Sequence, residues 1–263
     1  MPLKPFAVLP VAIGTVATGN ERTETPASSL GLFKSAGLLW RSNGNANLWV
    51  RGQFSASQAI DFIALLNSNA LSGTTIRVRL GTSQAQVDGT APYDSGTVTF
   101  INPAVTRESG RYHSHLEIGS VQNATWWRID IAGHTGDFEA SHLVMGKRFQ
   151  PARYYDRGFE FGSDDLGGLD ISRWGVASED DGLILPTITF KLGWLTEAEF
   201  ETSMRPMINK LGKRAPVYWC FDPEATTYRQ DRSYFGRMKQ LMTATNIAKP
   251  KTYSIEFALQ SMI

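Results

Sequence analysis

His113 and His115 carry the first spacing that could do chemistry. Two residues apart on an extended segment, their rings would share a face, as a pair of metal ligands must. A zinc site needs at least one more placed ligand, for which His134 and His142 are the remaining histidines. Solvent-exposed strand histidines are the simpler expectation. Ser163-Asp164-Asp165 and Ser178-Glu179-Asp180-Asp181-Gly182 gather oxygen ligands of the type calcium takes, yet neither has EF-hand spacing. Acidic residues before glycine are ordinary turn chemistry, so solvated turns are expected there. No metal or other cofactor is assigned. Cys220 sits in the apolar run Val217-Tyr218-Trp219-Cys220-Phe221 with no base nearby in sequence, and reads as a small core residue. The sequence has no G-x-S-x-G elbow, P-loop, dinucleotide fingerprint, H-E-x-x-H or C-x-x-C pair. With 25 acidic residues, a glycosidase pair can be drawn by chance and carries no weight. No catalytic residue is assigned, and the chain reads as non-enzymatic.

Aromatic and arginine residues supply the remaining chemistry. An exposed ring can stack on a sugar, which makes Trp40, Arg41 and Trp126 the candidate glycan contacts, although aromatic residues also fill β-sandwich cores. Tyr228-Arg229-Gln230-Asp231-Arg232-Ser233-Tyr234-Phe235 mixes Arg and Tyr densely, as protein–protein contacts do. Tyr228, Arg229, Arg232 and Tyr234 are therefore candidate assembly residues. A plain solvated loop is the competing reading.

The elements that must position these groups are mostly strands. In Trp126-Trp127-Arg128-Ile129-Asp130-Ile131, alternation sends Trp127, Ile129 and Ile131 to one face and Trp126, Arg128 and Asp130 to the other. A Gly133-His134-Thr135-Gly136 turn and the run Phe138 to Met145 suggest a hairpin partner. Leu48 to Arg51, Ile76 to Leu80, Thr97 to Phe100 and Arg111 to Ile118 also alternate. Phe6 to Ile13 reads as a first strand and not as a signal peptide, since it is short and contains Pro10. Ala59 to Leu66 is continuously apolar, and periodicity leaves a buried strand and a helical turn both open.

The character changes near Gln150-Pro151, which predicts domains at 1–150 and 151–263. In the second, Leu169 to Val176, Leu183 to Leu192, Val217 to Phe221 and Tyr253 to Leu259 read as strands. Thr196 and Glu199 form a capping box, and Phe200, Met204, Met207, Ile208 and Leu211 make one apolar stripe closed by Gly212. A helix over about 196–211 follows, packed on a β-sandwich or barrel. The expected class is mainly β.

Composition narrows the partners. The 263 residues carry 26 basic and 25 acidic side chains, so no global field draws the chain to nucleic acid or an anionic membrane. One cysteine excludes an intrachain disulfide. No run reaches the ~18 apolar residues of a membrane helix, and a soluble protein without membrane insertion is expected.

Pro26-Ala27-Ser28-Ser29-Leu30 followed by Leu39-Trp40-Arg41-Ser42, together with the Trp126 to Ile131 strand, resembles discoidin-like (galactose-binding-like) jelly rolls over the first 150 residues. Where those domains often carry Asp-Leu-Gly near the second strand, this chain has Arg51-Gly52-Gln53, so their ligand loops do not transfer. Phe138 to Phe149 with Gln150-Pro151, Tyr155-Asp156-Arg157-Gly158-Phe159-Glu160, and Tyr218-Trp219-Cys220-Phe221-Asp222-Pro223-Glu224 with Tyr228-Arg229-Gln230-Asp231 just beyond it together resemble minor tail proteins of long-tailed bacteriophages. That resemblance implies a distal-tail or baseplate protein of the virion, assembled in the bacterial cytoplasm. Its second domain, of the tail-tube kind, would form a homo-oligomeric ring joining tube to tip. The jelly roll would face outward, toward a host glycan. It also implies a lumen through which DNA passes, with Glu179, Asp180 and Asp181 as candidate lumen-facing acids. A soluble carbohydrate-binding module and a glycan-degrading depolymerase are the alternatives.

Overall fold

A computed structural model describes residues 4–34, 37–224, 226–246 and 250–263. Its first eleven strands and one short helix are β1 (Phe6–Val8), β2 (Thr15–Thr18), β3 (Trp40–Arg41), β4 (Trp49–Leu66), β5 (Thr75–Gly81), α1 (Gln84–Asp88), β6 (Tyr93–Asp94), β7 (Val98–Thr99), β8 (Leu116–Ala132), β9 (Glu139–Ala140), β10 (His142–Gly146) and β11 (Arg148–Phe149). The chain divides into two compact units whose main boundary falls between Phe149 and Gln150, with two short segments exchanged across it. One is Ala7–Phe149 with Asp222–Arg232. The other takes residues up to Phe6, Gln150–Phe221 and Ser233–Ile263.

The Ala7–Phe149 unit is built on an antiparallel sheet ordered β10-β4-β8-β5-β6, with β2 also on β4 and β7 also on β5. Ala59 to Leu66 is the second half of β4, a strand and not a helical turn. Its unbroken apolar run follows from burial on both faces, with Ile60 and Phe62 to Leu66 all inaccessible. Asp61, the one charge within it, accepts the backbone N–H of Arg148 at 2.6 Å.

The Trp126 to Ile131 segment shows the expected two faces, with Trp127, Ile129 and Ile131 buried. The expected hairpin does not form. β8 has both edges taken, pairing Val50 with Ile129 on one side and Val78 with Ile129 on the other. Phe138 to Met145 instead splits. Its start forms β9, which pairs β3, and its end forms β10, where Leu143 and Val144 sit opposite Leu65 and Ala64. β10, buried at every position, suits the buried half of β4 better than it suits the two-faced β8.

The histidines are not on exposed strand positions. His113 and His115 precede β8, outside any strand, and His113, His134 and His142 are buried. The His113 Nδ1 accepts the N–H of Asn67 at 3.0 Å, which requires a neutral ring. His134 Nδ1 lies 3.2 Å from the Thr74 hydroxyl, and the His142 ring stands edge-on to Phe33. Among the described residues, no three His, Cys, Asp or Glu side chains converge as a metal site would require.

The other unit contains β12 (Glu160–Asp165), β13 (Gly168–Ile171), β14 (Ala177–Asp180), β15 (Ile184–Thr196), β16 (Val217–Cys220), β17 (Ser233–Met238), β18 (Ala244–Asn246) and β19 (Thr252–Ser261). Its strands run β16-β17-β19-β15-β12, with β18 also on β19, and the sheet stays open instead of closing as a barrel. Phe190, Trp219 and Phe257 pack as one aromatic group, with Phe190 and Phe257 stacked at 5.0 Å. Cys220 lies fully buried beside it in β16. The predicted helix, α2, is present as Glu197–Glu199, Phe200–Met204 and Arg205–Leu211. Thr196 and Glu199 form the capping box, and Gly212 ends the helix at φ +48°. Phe200, Met204, Met207 and Leu211 are buried, and Ile208 is half-buried. The middle stretch widens to π geometry, with Arg205 N–H on the Phe200 carbonyl. Pro206 has no N–H to offer the carbonyl four residues back, which gives this loosening a physical cause.

Burial drives the His142 pKa down to about 4, and burial with the nearby Arg107 guanidinium drives His113 to about 3. In the unfolded chain both titrate near 6.5, so the unfolded state binds more protons at lower pH. Stability is therefore complete above pH 6.5 and falls as pH drops toward those folded values. Chemical denaturation between pH 7 and 4.5 should show a loss approaching about 1.4 kcal/mol per pH unit per histidine. His142→Phe should flatten that slope, and a pH-independent midpoint would contradict neutral burial.

Candidate functional site

Of the three expected glycan contacts, Trp40 is a core residue. At 0% exposure it stacks edge-on against Phe138 at 5.6 Å, and its indole N–H reaches the Asn20 carbonyl at 3.3 Å. No sugar can reach that ring. Arg41 is committed internally to Asp137 at 3.1 Å and Glu139 at 3.3 Å. Asp137 also accepts Gly44 N–H at 2.7 Å, and that bond leads the effects that lower its pKa. Trp126 is half-buried on β8 between Gln53 and Gly81. The structure does not gather these three into one platform.

The expected assembly residues also separate. Asp222–Arg232 folds back as a strap on the Ala7–Phe149 unit. The buried amide of Gln230 accepts His113 N–H at 2.8 Å and donates to the His113 carbonyl at 2.9 Å, as a neighbouring strand would. Arg229 is 6% exposed and ion-paired with Glu117, so it is an internal strut and not a surface contact. Asp231 meets Arg107 at 3.0 Å, and Arg232 meets Asp222 at 2.7 Å. Tyr234 lies in β17 and is buried among aromatic rings, stacked near Phe161. Tyr228 alone of the four is largely exposed.

The strap closes one side of a polar recess of 540 Å³. Thr97, Thr99, Asn102, His115, Glu117 and Arg229 line it. Sequence reasoning missed this site because its residues come from three separated segments. The His115 pKa lies well below the usual imidazole value, chiefly through burial and then through Arg229. The recess thus offers hydroxyl and amide groups beside an imidazole and the Glu117–Arg229 ion pair, which is hydrogen-bonding chemistry for a polyol or another small polar ligand.

A second site is a projecting arm. Beyond β12 and β15 the chain continues into the β13–β14 hairpin, turned by Ser172 to Gly175. Gly167 and Gly182 touch at its neck, where a Cβ on Gly182 would fall 2.0 Å from Gly167 N. Leu166, Leu169, Ile171, Val176, Leu183 and Ile184 are each more than half exposed, and Trp174 at the tip is 78% exposed with Arg173 over its ring. Leu169 sits opposite Glu179 and Ile171 opposite Ala177, so these four share a face. Asp180 lies opposite Gly168 on the other face. Glu179 and Asp180 therefore cannot both face one lumen, because strand alternation sends them apart.

No protein-family model and no curated protein matches the chain. Similarity to solved structures covers about half of it. A chitosan-binding module 1 from a chitosanase/glucanase of Paenibacillus sp. IK-5 shares 14% identity at TM-score 0.36, over 51% of this chain and 96% of that one. A Streptococcus pneumoniae fucose binding module shares 10% at TM-score 0.39, over 53% and 95%. CBM32-1 from a family 31 glycoside hydrolase of Clostridium perfringens shares 10% at TM-score 0.40, over 52% and 96%.

Proposed function

We propose that this chain is a non-catalytic assembly subunit that joins copies of itself through the 160–184 arm. The observation that carries this reading is the arm's exposed apolar surface. Soluble monomers rarely expose so many large apolar side chains on one short hairpin, and each one covered contributes on the order of 1–2 kcal/mol. Closure of such contacts into a ring would cover the arm in every copy. The bacteriophage resemblance gives that ring a place, at the tail tip between tube and distal proteins, with DNA passing through in transit. In that arrangement Asp170 and Asp180, on the face away from Leu169 and Ile171, are the acids left to line a lumen.

Light scattering on the purified protein should find a defined oligomer. The double substitution Ile171→Asp with Trp174→Ser should give a folded monomer, because both side chains are exposed and hold no core. A wild-type monomer at tens of micromolar, with the arm intact, would sink this reading.

The polar recess favours a second role for the Ala7–Phe149 unit, that of a carbohydrate-binding module. The similar structures include a chitosan-binding and a fucose-binding module, which selects the first sugars to try. The depolymerase alternative needs two carboxylates facing each other across a cleft, and among the described residues this recess holds one, Glu117. Titration with chitotriose and with fucose, followed by calorimetry, should give binding that Asn102→Ala weakens about tenfold, equivalent to one lost hydrogen bond to a polar ligand. Binding left intact by Asn102→Ala would remove the recess from consideration.

A further inference from the structure

The arm's acceptor can be read from the far end of the same strand. β15 runs from Ile184 at the arm's base to Thr196, which caps α2, and ten residues of strand separate Ile184 from Trp194 by about 33 Å. At that far end the register breaks between Leu192 and Leu195, and Trp194 adopts φ +60°. A non-glycine residue in the left-handed region is strained, and here the bulge turns a large ring outward to 42% exposure. Residues 150–159 run alongside. Asp156 N–H bonds the Lys191 carbonyl at 2.8 Å, and the Arg153 guanidinium lies over the Trp194 ring at 5.9 Å. Arg153 and Arg157 are exposed there, whereas Lys191 lies opposite Glu256 on β19.

The two ends are complementary. Residues 160–184 hold seven acidic side chains against the single Arg173, and their apolar face carries Glu179 beside Leu169 and Ile171. The other end offers an outward tryptophan with the Arg153 guanidinium over its ring and Arg157 exposed on the same segment, while the Asp156 carboxylate is turned in against Gly193. We propose that the Leu169, Ile171 and Glu179 face of one copy docks on the Trp194 and Arg153 end of β15 in the next copy. This rests on the assembly reading and gives it a geometry. The contact is heterologous, because the two surfaces differ and lie at opposite ends of one strand. Repetition of such a contact produces a closed ring or an open helical filament, whereas a self-complementary patch would stop at a dimer.

The single native cysteine, Cys220, is fully buried, so introduced cysteines report cleanly. Ile171→Cys and Arg153→Cys would be made in separate full-length chains, mixed, and oxidised with copper–phenanthroline. The proposal predicts a crosslinked dimer in the mixture that neither variant forms alone, and a ladder of multimers when one chain carries both changes. A crosslink in Ile171→Cys alone would show an arm-to-arm contact and overturn the proposal, while leaving self-assembly through the arm standing. As a second measurement, Arg153→Glu should weaken assembly at least tenfold by light scattering, and adding Glu179→Arg should restore it. Failure of the paired reversal to restore an assembly that Arg153→Glu has weakened would likewise overturn the proposed contact. Scattering by the unmodified chain as a monomer would remove the assembly reading itself.

Discussion

Trp127 lying across Gly52 is the contact on which the Ala7–Phe149 unit depends. The two residues are directly opposed on β4 and β8, and a Cβ on Gly52 would come within 2.4 Å of the indole. Only glycine lets the ring lie flat over the neighbouring strand, and the indole N–H then reaches the Ile13 carbonyl at 3.1 Å. One side chain thereby fills the core, fixes the register of the two longest strands, and ties in the chain segment ahead of β2 with a satisfied polar group. A slip of one residue would move Trp127, Ile129 and Ile131 to the solvent face together. The Arg51-Gly52-Gln53 sequence, which departs from the discoidin pattern, has its reason in this contact.

What the sequence made legible was local. Alternation placed Trp127 inward and Trp126 outward, and the Thr196/Glu199 capping box located the helix to within a residue. The mainly β class followed from the same patterns. What it did not show depends on partners far away in the chain. The β8 hairpin looked sound because Phe138 to Met145 has the right length and a good turn before it, but the apolar half of β4 competes for that strand and wins on burial. Trp40 lies on a two-residue strand, too short for alternation to reveal which way its ring points. The Arg- and Tyr-rich segment at 228–234 has the composition of a surface, and it becomes a strap only because the Gln230 amide meets His113, 117 residues away.

The arm shows the converse difficulty. Leu169, Ile171, Val176 and Leu183 follow the pattern of an ordinary half-buried strand, and nothing in the residues themselves says that their own chain leaves them uncovered. Apolar patterning records that a face is to be covered. It does not record by which molecule. The acidic residues of the same hairpin have a physical role under this view, since they keep the arm soluble and repel premature arm-to-arm contact until the Arg153 and Trp194 acceptor is met.

The strap also sets a timetable. Synthesis runs from the N-terminus at roughly 5–20 residues per second, and Gln230 emerges about 80 residues after Phe149. For several seconds the first unit is on the outside of the ribosome with the backbone of His113 without its Gln230 partner and Glu117 held by Arg148 but not yet by Arg229. It is complete only when most of the other unit has also been made. The jelly-roll half is therefore not a bead on a string that recombination could lift out at residue 150 and graft elsewhere. Its final stitch is encoded inside its neighbour, and the two have had to be inherited as one gene.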